Sequence, residues 1–362
     1  MAERYPRVEV DLAKLKKNVE YVVSRCGDYG IDICGVIKGC TAYIPAVRQF
    51  AEGGCKWIAS SRLEQIEDCI NAGIDKPMML IRIPMLSEVP DVIRLTEYSL
   101  NSSIEVIRAL NEEAKKQDKP HKVILMADLG DLREGFWDKD EMVSVACDIE
   151  NNMKYLTLAG VGTNLGCYGS IAATAPKLQE LVDIAERIEA KIGRELEVIS
   201  GGATSSFMRV VDGNIPKRIN MLRIGEGILL SRDWDVFYGY KQEEMYQDTF
   251  VVKAEVIEVK DKPTYPVGEF AVDAFGHKPT YTDRGIRRRA LLALGKVDYG
   301  DCSELIPNEE GIEVLGASSD HTIIDVEDCK RDLKVGDIVS FTINYATLVF
   351  LTNTRNVEMV SI

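Results

Sequence analysis

Residues 33–38 read Ile33-Cys34-Gly35-Val36-Ile37-Lys38, a short apolar run that ends in a lysine. A run of this length with amphipathic segments on either side is typical of a buried β-strand. The same pattern predicts further strands along the chain, at residues 56–59, 79–83, 98–100, 123–127, 156–161, 196–199 and 221–224.

Helical periodicity fills the intervals between these strands. The main predicted helices cover residues 61–72, 103–116, 140–150 and 175–192. The first two begin at Ser61 and Ser103, which are suitable N-cap residues. Eight strands that alternate with helices over about 200 residues predict a (β/α)8 TIM barrel, an α/β fold. A doubly wound sheet would need similar helices but usually has fewer strands.

The two ends of the chain have a different pattern. A strand at residues 7–11 and a helix at 12–23 precede the barrel. Beyond residue 247, strand-like alternation without a further amphipathic helix recurs at residues 250–259, 289–294, 312–315, 322–326, 338–343 and 347–351. We therefore predict a barrel domain over residues 1–240 and a C-terminal all-β domain over residues 241–362, with the strand at 7–11 able to pack on the latter.

Composition excludes several classes of function. The 362 residues carry 44 basic and 58 acidic side chains, and the net charge of −14 repels nucleic-acid phosphates and anionic membrane surfaces. No window reaches the roughly 18 apolar residues of a membrane span, and no signal peptide is evident. The nine cysteines form no CxxC pair, and no two of the three histidines are spaced to bind one metal ion together. We expect no metal centre, reduced cysteines and a cytoplasmic location.

Polar residues occur where a TIM barrel places its active site, at the carboxyl ends of the strands. Lys38 ends the first strand, and its amine either extends to solvent at the rim or forms an imine with an aldehyde cofactor. Arg223 lies within the last strand, where its permanent charge needs either a carboxylate or a ring nitrogen of a cofactor.

Two glycine-containing segments follow the last two strands: Ser200-Gly201-Gly202-Ala203-Thr204-Ser205-Ser206 and Leu222-Arg223-Ile224-Gly225-Glu226-Gly227. Each alone is compatible with a tight turn, but barrels of this class often bind a phosphate here through backbone N–H groups and hydroxyls. A lysine, a phosphate cradle and a buried arginine together predict a site for pyridoxal 5'-phosphate (PLP). An arginine at the pyridine nitrogen weakens the electron sink, which favours simple proton transfer over decarboxylation or transamination.

These motifs resemble those of the alanine racemase family of fold-type III PLP enzymes, and especially its ornithine racemase branch. The resemblance also rests on Asp128-Leu129-Gly130-Asp131-Leu132-Arg133-Glu134-Gly135 and on Leu315-Gly316-Ala317-Ser318-Ser319-Asp320-His321. It implies that Lys38 holds PLP and moves a proton on one face of the substrate α-carbon. It further implies a head-to-tail homodimer in which the β-domain of one subunit completes the active site of the other.

The resemblance assigns roles to further positions. Arg133 would contact the phenolic oxygen of the cofactor and the substrate carboxylate, and Arg223 its pyridine nitrogen. The remaining cofactor-binding positions would be Asn164, Gly202, Thr204, Ser205, Gly225, Glu226 and Tyr345. Ser319 and Asp320 would bind substrate. If the substrate has a distal ammonium group, we expect Asp320 to bind it, although Asp320 is equally compatible with a role as the cap of a turn. Glu226 is the second candidate for binding the ammonium group.

Three positions depart from alanine racemases. The Gly-Tyr pair that supplies their second proton-transfer group is matched by Leu294-Gly295-Lys296-Val297-Asp298-Tyr299, in which the tyrosine is displaced. The candidates for the second proton-transfer group are therefore Tyr299, Cys302 and His321, and of these we select Tyr299. Met126 stands in place of a lysine, so that a carbamylated lysine cannot orient Arg133, and Ala42 stands in place of a tyrosine.

These departures favour a substrate other than alanine. We predict an isomerase, a PLP-dependent racemase that interconverts L- and D-ornithine by proton transfer on both faces of the α-carbon. The alternatives are a racemase for alanine or of broad specificity, acting on lysine or serine, and a non-catalytic PLP carrier. A carrier of that kind would lack the β-domain, and a decarboxylase would have an acidic residue in place of Arg223.

Overall fold

The computed structural model describes residues 3–273, 275–278 and 280–362. The chain divides into two compact units. One, here called the barrel unit, is Leu12–Tyr246; the other, the β unit, combines the residues up to Asp11, with strand β1 (Arg7–Val10), and Gln247–Ile362. No described helix is long and apolar enough to cross a membrane.

The barrel unit contains eight parallel strands that close into a barrel, which confirms the predicted fold. The strands are β2 (Asp32–Val36), β3 (Trp57–Ser60), β4 (Met78–Leu80), β5 (Tyr98–Asn101), β6 (His121–Met126), β7 (Leu156–Gly162), β8 (Val198–Ser200) and β9 (Met221–Ile224). The helices are α1 (Leu12–Gly27), α2 (Ile44–Glu52), α3 (Leu63–Asn71), α4 (Val89–Leu95), α5 (Ile104–Gln117), α6 (Lys139–Asn152), α7 (Ala175–Ile192), α8 (Phe207–Val211), α9 (Glu226–Leu229) and α10 (Asp233–Val236).

Side chains from all eight strands fill the interior of the barrel. Because successive residues of a strand point to opposite faces, alternate positions face inward. The buried cluster consists of Cys34, Val36, Trp57, Ala59, Met79, Tyr98, Leu100, Ile124, Met126, Ala159, Val198 and Met221. Because these side chains fill the interior of the barrel, we look for the active site in the segments that follow the strands.

Gly160 lies where two barrel strands approach each other closely. It pairs with Val198 of β8, and a Cβ at Gly160 would lie 1.8 Å from the Val198 carbonyl oxygen. We expect Gly160→Ala to lower the free energy of unfolding by about 2–3 kcal/mol, because the strand pair must separate to admit a methyl group. Chemical denaturation measures this change. Gly27→Ala is the control, since a Cβ there meets nothing within 4 Å, and equal losses in both variants would contradict the account.

The two predicted serine caps have different outcomes. Ser103 caps α5, because its hydroxyl accepts a hydrogen bond from the Val106 N–H. The prediction for Ser61 is wrong, since α3 follows Arg62 and has no side-chain cap. The preceding Ser60 engages this turn instead, with its hydroxyl donating to Gln65 and accepting from the Arg62 N–H.

The β unit is built on an antiparallel sheet in the order β12-β15-β10-β11-β14-β13. Its strands are β10 (Phe250–Pro263), β11 (Ile286–Leu292), β12 (Ile306–Pro307), β13 (Glu313–Ala317), β14 (Thr322–Asp325), β15 (Ile338–Thr342) and β16 (Glu358–Ser361). Strand β1 pairs antiparallel with β10 and parallel with β16, so the first strand of the chain belongs to this sheet.

The β unit also contains helices, which corrects one prediction. Residues 347–351 were predicted as a strand but lie in helix α12 (Tyr345–Leu351), and α11 (Lys296–Tyr299) is a further short helix. Asn344 caps α12, since its side-chain oxygen accepts a hydrogen bond from the Thr347 N–H at 3.0 Å. The buried residues Thr347, Leu348 and Leu351 follow helical spacing, so burial of one helix face prevailed over local strand propensity.

Candidate active site

The parallel strands of the barrel bring several predicted site residues to one rim. Lys38 lies two residues after β2, Asn164 two residues after β7, and Gly225 directly after β9. Arg133 belongs to the segment that follows β6. Hydrogen bonds through Asn164 and Glu134 connect Arg223 to Arg133, and the charges of both arginines act on the Lys38 amine.

The Lys38 side chain is half-buried. It begins a short 3-10 turn, Lys38–Cys40, and its Nζ has neither a hydrogen bond nor an ion pair among the described residues. Burial lowers the pKa of the Lys38 amine, and the charges of Arg133 and Arg223 lower it further, against the opposing effect of Cys167 and Glu134. A larger fraction of the amine is thus neutral and nucleophilic near neutral pH than for an exposed lysine.

Arg223 is buried, with 3% of its surface exposed, and reaches from β9 across β8 to the end of β7. Its guanidinium donates to the Ser200 hydroxyl, to the Thr163 carbonyl oxygen at 2.8 Å and to the Asn164 side-chain oxygen at 2.7 Å. All these acceptors are neutral, and no carboxylate within the described ranges hydrogen-bonds the group. Of the two partners considered from the sequence, the carboxylate is therefore not found among those residues.

The two glycine-containing segments contact each other. The Arg223 N–H donates to the Gly202 carbonyl oxygen at 2.9 Å, and the Gly227 N–H donates to the Thr204 hydroxyl at 3.3 Å. Gly202 has a φ of +111°, and a Cβ there would lie 2.7 Å from the Ser206 hydroxyl oxygen, so this turn requires glycine. Gly225 packs against Val36 of the neighbouring strand β2.

Thr204 and Ser205, both predicted to bind phosphate, lie in a 3-10 turn that precedes α8. The Ser205 hydroxyl donates to the Leu165 carbonyl oxygen at 2.9 Å, and the indole N–H of Trp234 donates to the Thr204 carbonyl oxygen at 2.8 Å. These contacts fix the segment beside Gly225 and Gly227. The helices that follow both segments are short, five residues for α8 and four for α9.

Glu226 is buried and forms a pair with Asp233. One carboxylate oxygen of Glu226 accepts hydrogen bonds from the Arg232 and Asp233 N–H groups, both at 3.1 Å. Burial, together with the charge of Asp233, raises the pKa of Glu226 to about 8. Burial also raises the pKa of Asp233. The Glu226 side chain is therefore mostly protonated at neutral pH.

This pair gives a testable dependence of stability on pH. Because the folded state binds the Glu226 proton more tightly than the unfolded state, its contribution to stability falls as the pH rises from about 4.5 to about 8 and is level above that. Glu226→Gln removes this titration but keeps the accepting oxygen. We expect the melting temperature of the variant, relative to that of the natural protein at the same pH, to be about 5 °C higher at pH 9 than at pH 5.

Thermal unfolding followed by circular dichroism measures the difference in melting temperature at each pH. The control is Glu64→Gln, because Glu64 is exposed on α3. A difference between Glu226→Gln and the natural protein that does not vary with pH would contradict the assignment of the proton to Glu226.

Two carboxylates hold the segments on which Arg133 and Asn164 lie. Asp131 accepts four backbone hydrogen bonds, from Gly166, Cys167, Tyr168 and Ile171, at 2.9–3.3 Å. Burial alone would raise the pKa of Asp131, but these four donors outweigh it and lower the pKa. Asp128 accepts from the Gly130 and Leu132 N–H groups at 2.8 and 3.1 Å. The sequence motif had suggested no role for either aspartate.

Glu134 is a further site residue that the sequence analysis missed. Its carboxylate accepts hydrogen bonds from the Arg133 guanidinium and from the Asn164 side-chain amide. Nothing but its position next to Arg133 could have indicated this role, because the partner Asn164 lies 30 residues away.

The β-unit candidates lie in different surroundings. Tyr299 is 1% exposed, and its hydroxyl is 2.7 Å from that of Thr322, so its burial favours packing over proton transfer. Ser319 lies in the turn before β14, where Asp320 and His321 are exposed. Tyr345 begins α12. The side chain of Cys302 lies outside the part of the chain that the structure describes.

The described residues contain no group of three or more His, Cys, Asp and Glu side chains that could hold a metal ion. One histidine, His121, is buried and lies 2.8 Å from the Ser99 hydroxyl through its Nε2. Burial lowers the pKa of His121 to about 4, so this ring is neutral at physiological pH. It lies at the amino end of β6, away from the rim with Lys38.

Comparison with known proteins identifies relatives along nearly the whole chain. The chain is 39% identical to the ornithine racemase of Acetoanaerobium sticklandii over 95% of this chain and 96% of that protein. It is 38% identical to the lysine racemase of Thermotoga maritima over 98% of both chains. The alanine racemase structure from Streptomyces lavendulae matches with a TM-score of 0.75 at 17% identity, covering 99% of this chain and 98% of that one.

The family model described as "Alanine racemase, N-terminal domain" matches residues 10–233, which include Lys38, Arg133, Asn164 and Arg223. This range covers nearly all of the barrel unit, and the full-length relatives extend the similarity through the β unit. The chain therefore belongs to the alanine racemase family.

Proposed function

We propose that this chain is a PLP-dependent amino-acid racemase that interconverts the enantiomers of a basic amino acid, with ornithine as the preferred substrate. The observation that carries the proposal is the 39% identity to an ornithine racemase over 95% of the chain. The second relative acts on lysine, which is also a diamino acid with a distal ammonium group. A net charge of −14 is compatible with attraction of such a cationic substrate.

The residues at the rim fit PLP. Lys38 is an amine with a lowered pKa and no partner among the described residues, as covalent attachment of an aldehyde requires. Arg223 presents a buried charge whose hydrogen-bond partners are neutral, so it suits a ring nitrogen. Thr204, Ser205, Gly202, Gly225 and the Glu226 backbone would hold the phosphate, with Tyr345 from a β unit, while Asn164 would lie against the ring.

The residues of the chain divide the remaining work. When bound, PLP supplies the electron sink that makes the α-hydrogen of an amino acid acidic. The neutral Lys38 amine takes that proton on one face or returns it. Arg133 holds the substrate carboxylate through a bidentate contact, which its planar guanidinium suits. A group on the opposite face completes inversion; among the predicted candidates, His321 is exposed whereas Tyr299 is buried.

A lysine racemase is the second candidate function. It is favoured by the 38% identity to a lysine racemase, which covers 98% of each chain. The two identities differ by too little to separate ornithine from lysine, which differ by one methylene group. A single methylene changes binding by about 1–3 kcal/mol, which is enough for a measurable preference.

Steady-state kinetics with chiral chromatography test the proposal. The purified protein, supplied with PLP, is assayed with L- and D-ornithine, lysine, alanine and serine. We expect kcat/KM for ornithine to exceed that for lysine by about tenfold and that for alanine by more. A higher kcat/KM for lysine would favour the second candidate. Absence of inversion with all four amino acids would refute the racemase proposal.

We also propose that the protein acts in the cytoplasm as a head-to-tail homodimer. Support comes from the resemblance of its motifs to those of the family and from the division of candidate residues between the barrel unit, with Lys38 and Arg133, and the β unit, with Tyr345, Ser319 and Asp320. Light scattering gives the oligomeric state. In addition, a mixture of Lys38→Ala and Tyr345→Ala chains should regain activity that each lacks alone, because half of the sites in a mixed dimer would be intact.

A further inference from the structure

Three cationic side chains of the barrel rim act on one another electrostatically, and the charge of one carboxylate acts on all of them. The cations are Lys38, Arg133 and Arg223. The negative charge of Glu134 acts on each, opposing the lowering of the Lys38 and Arg223 pKa values and raising that of Arg133. Such a concentration of positive charge in a partly buried site is unfavourable unless an anion compensates it.

Hydrogen bonds connect Glu134 to both arginines. Its carboxylate accepts from the Arg133 Nε and, at 2.7 Å, from the second guanidinium nitrogen, a bidentate pair. The same carboxylate accepts from the Asn164 side-chain nitrogen at 2.5 Å, and the Asn164 side-chain oxygen accepts from Arg223 at 2.7 Å. An amide turned the other way would face its nitrogen to Arg223 and its oxygen to Glu134, so the charges fix its orientation.

The backbone of this segment is held without the Glu134 side chain. Asp128 accepts two backbone hydrogen bonds within the segment, and the Lys139 amine donates to the Asp128 and Phe136 carbonyl oxygens, both at 2.5 Å. Gly135 fits closely, since a Cβ there would lie 2.3 Å from the Asp128 backbone nitrogen. The Glu134 side chain is therefore available to interact with the site rather than required to shape the loop.

We propose that Glu134 is a positioning residue, which fixes Arg133 and Asn164, joins Arg133 to Arg223 through one hydrogen-bonded chain, and compensates the positive charge around Lys38. Without it, Arg133 would lose its charged partner and Asn164 the acceptor of its amide. Burial alone would raise the pKa of Glu134, but the hydrogen bonds from Arg133 and Asn164 outweigh it and lower the pKa, so the group is ionised at neutral pH. The inference rests on the proposed function for the identity of the reacting residues.

The first test separates substrate binding from turnover. Glu134→Gln keeps the shape of the side chain but removes its charge. We expect KM for ornithine to rise about tenfold and kcat to fall by a similar factor, because Arg133 is no longer fixed by a charge-assisted pair. The matched control is Glu150→Gln, which alters a bidentate pair of 2.8 and 2.7 Å between Glu150 on α6 and Arg194 in the turn after α7, and should leave both constants unchanged.

The second test does not require activity. The full chain, freed of any cofactor with hydroxylamine, is reductively methylated over a range of pH, and the Lys38 peptide is quantified by mass spectrometry. Because the negative charge of Glu134 raises the Lys38 pKa, Glu134→Gln should move the midpoint of Lys38 labelling to lower pH. Glu134→Asp keeps the charge, so its labelling midpoint should lie close to that of the natural protein. Glu150→Gln should not move the midpoint.

The outcomes distinguish this inference from the proposed function. A lowered labelling midpoint in Glu134→Gln supports the role of Glu134 even if the natural protein inverts none of the amino acids tested. A midpoint and kinetic constants equal to those of the natural protein would overturn it. A uniform loss of stability without a change of the labelling midpoint would also overturn it, since that result indicates a purely structural residue.

Discussion

Replacement of Lys38 by alanine is expected to reduce the rate of ornithine inversion by about 10⁴-fold or more. The reason is that one amine serves two purposes in the proposed function, attachment of the cofactor and proton transfer at the α-carbon, and proton transfer alone contributes about 10²–10⁴-fold. Chiral chromatography of the reaction with L-ornithine gives the rate. Because Nζ of Lys38 has no partner in the described part of the chain, the variant and the natural protein should have the same melting temperature when both are free of cofactor.

The control for this prediction is Lys56→Ala. Lys56 is exposed at the opposite end of the barrel, next to the start of β3, where its amine pairs with Asp32 at 2.6 Å. An exposed ion pair of this kind contributes little to stability, so the control should retain full activity. If the Lys38 variant kept more than about a tenth of the natural rate, proton transfer by Lys38 would be refuted.

Replacement of Arg223 by glutamine is expected to lower the rate by about 10²–10³-fold. The change removes a buried charge whose hydrogen-bond partners, Ser200, Thr163 and Asn164, are all neutral, so that the guanidinium remains available to a cofactor. These partners also lose donors, so the free energy of unfolding should fall by about 1–3 kcal/mol. Rate and melting temperature are measured on the same samples.

Arg218→Gln controls for the loss of an arginine from the barrel unit. Arg218 donates to Glu189 at 2.6 Å outside the rim. The Arg218→Gln variant should invert ornithine at the natural rate and lose little stability. A folded Arg223→Gln protein that inverts ornithine at the natural rate would contradict the role of this residue at the cofactor.

The barrel could be predicted from the sequence because each strand is an apolar run bounded by amphipathic helices, a pattern that depends on local residues alone. The ends of the shortest strands could not be predicted as well. Residues 79–83 were predicted as a strand, but β4 is Met78–Leu80, because Arg82 turns so that one of its guanidinium nitrogens donates to both carboxylate oxygens of Glu88, at 2.6 and 2.7 Å. The polar Arg82 at a strand end thus has a partner within its own loop.

Helix α12 was missed for a related reason. Residues 347–351 combine apolar and β-branched side chains, and five residues are too few for periodicity to separate a strand from one face of a helix. The available signal was Asn344, whose side chain caps the helix. A capping residue is informative only once the helix itself is suspected.

At the site, Lys38 and Arg223 could be selected because charged residues at the ends of buried strands are unusual. Glu134 could not, since a glutamate beside an arginine in a polar loop is common and its importance depends on Asn164, which follows the next strand. Tyr299 was selected for its residue type, and its burial against Thr322 became visible only in the folded β unit. Chemistry that depends on contacts between distant segments was therefore the part that the sequence did not reveal.

The most direct test of the central claim is incubation of the PLP-loaded protein with L-ornithine in D₂O, followed by chiral separation and mass spectrometry of both enantiomers. Racemisation through proton transfer predicts that D-ornithine accumulates to an equal amount and carries one deuterium at the α-carbon. The proposed function would be contradicted if no D-ornithine formed and the recovered L-ornithine kept its α-hydrogen.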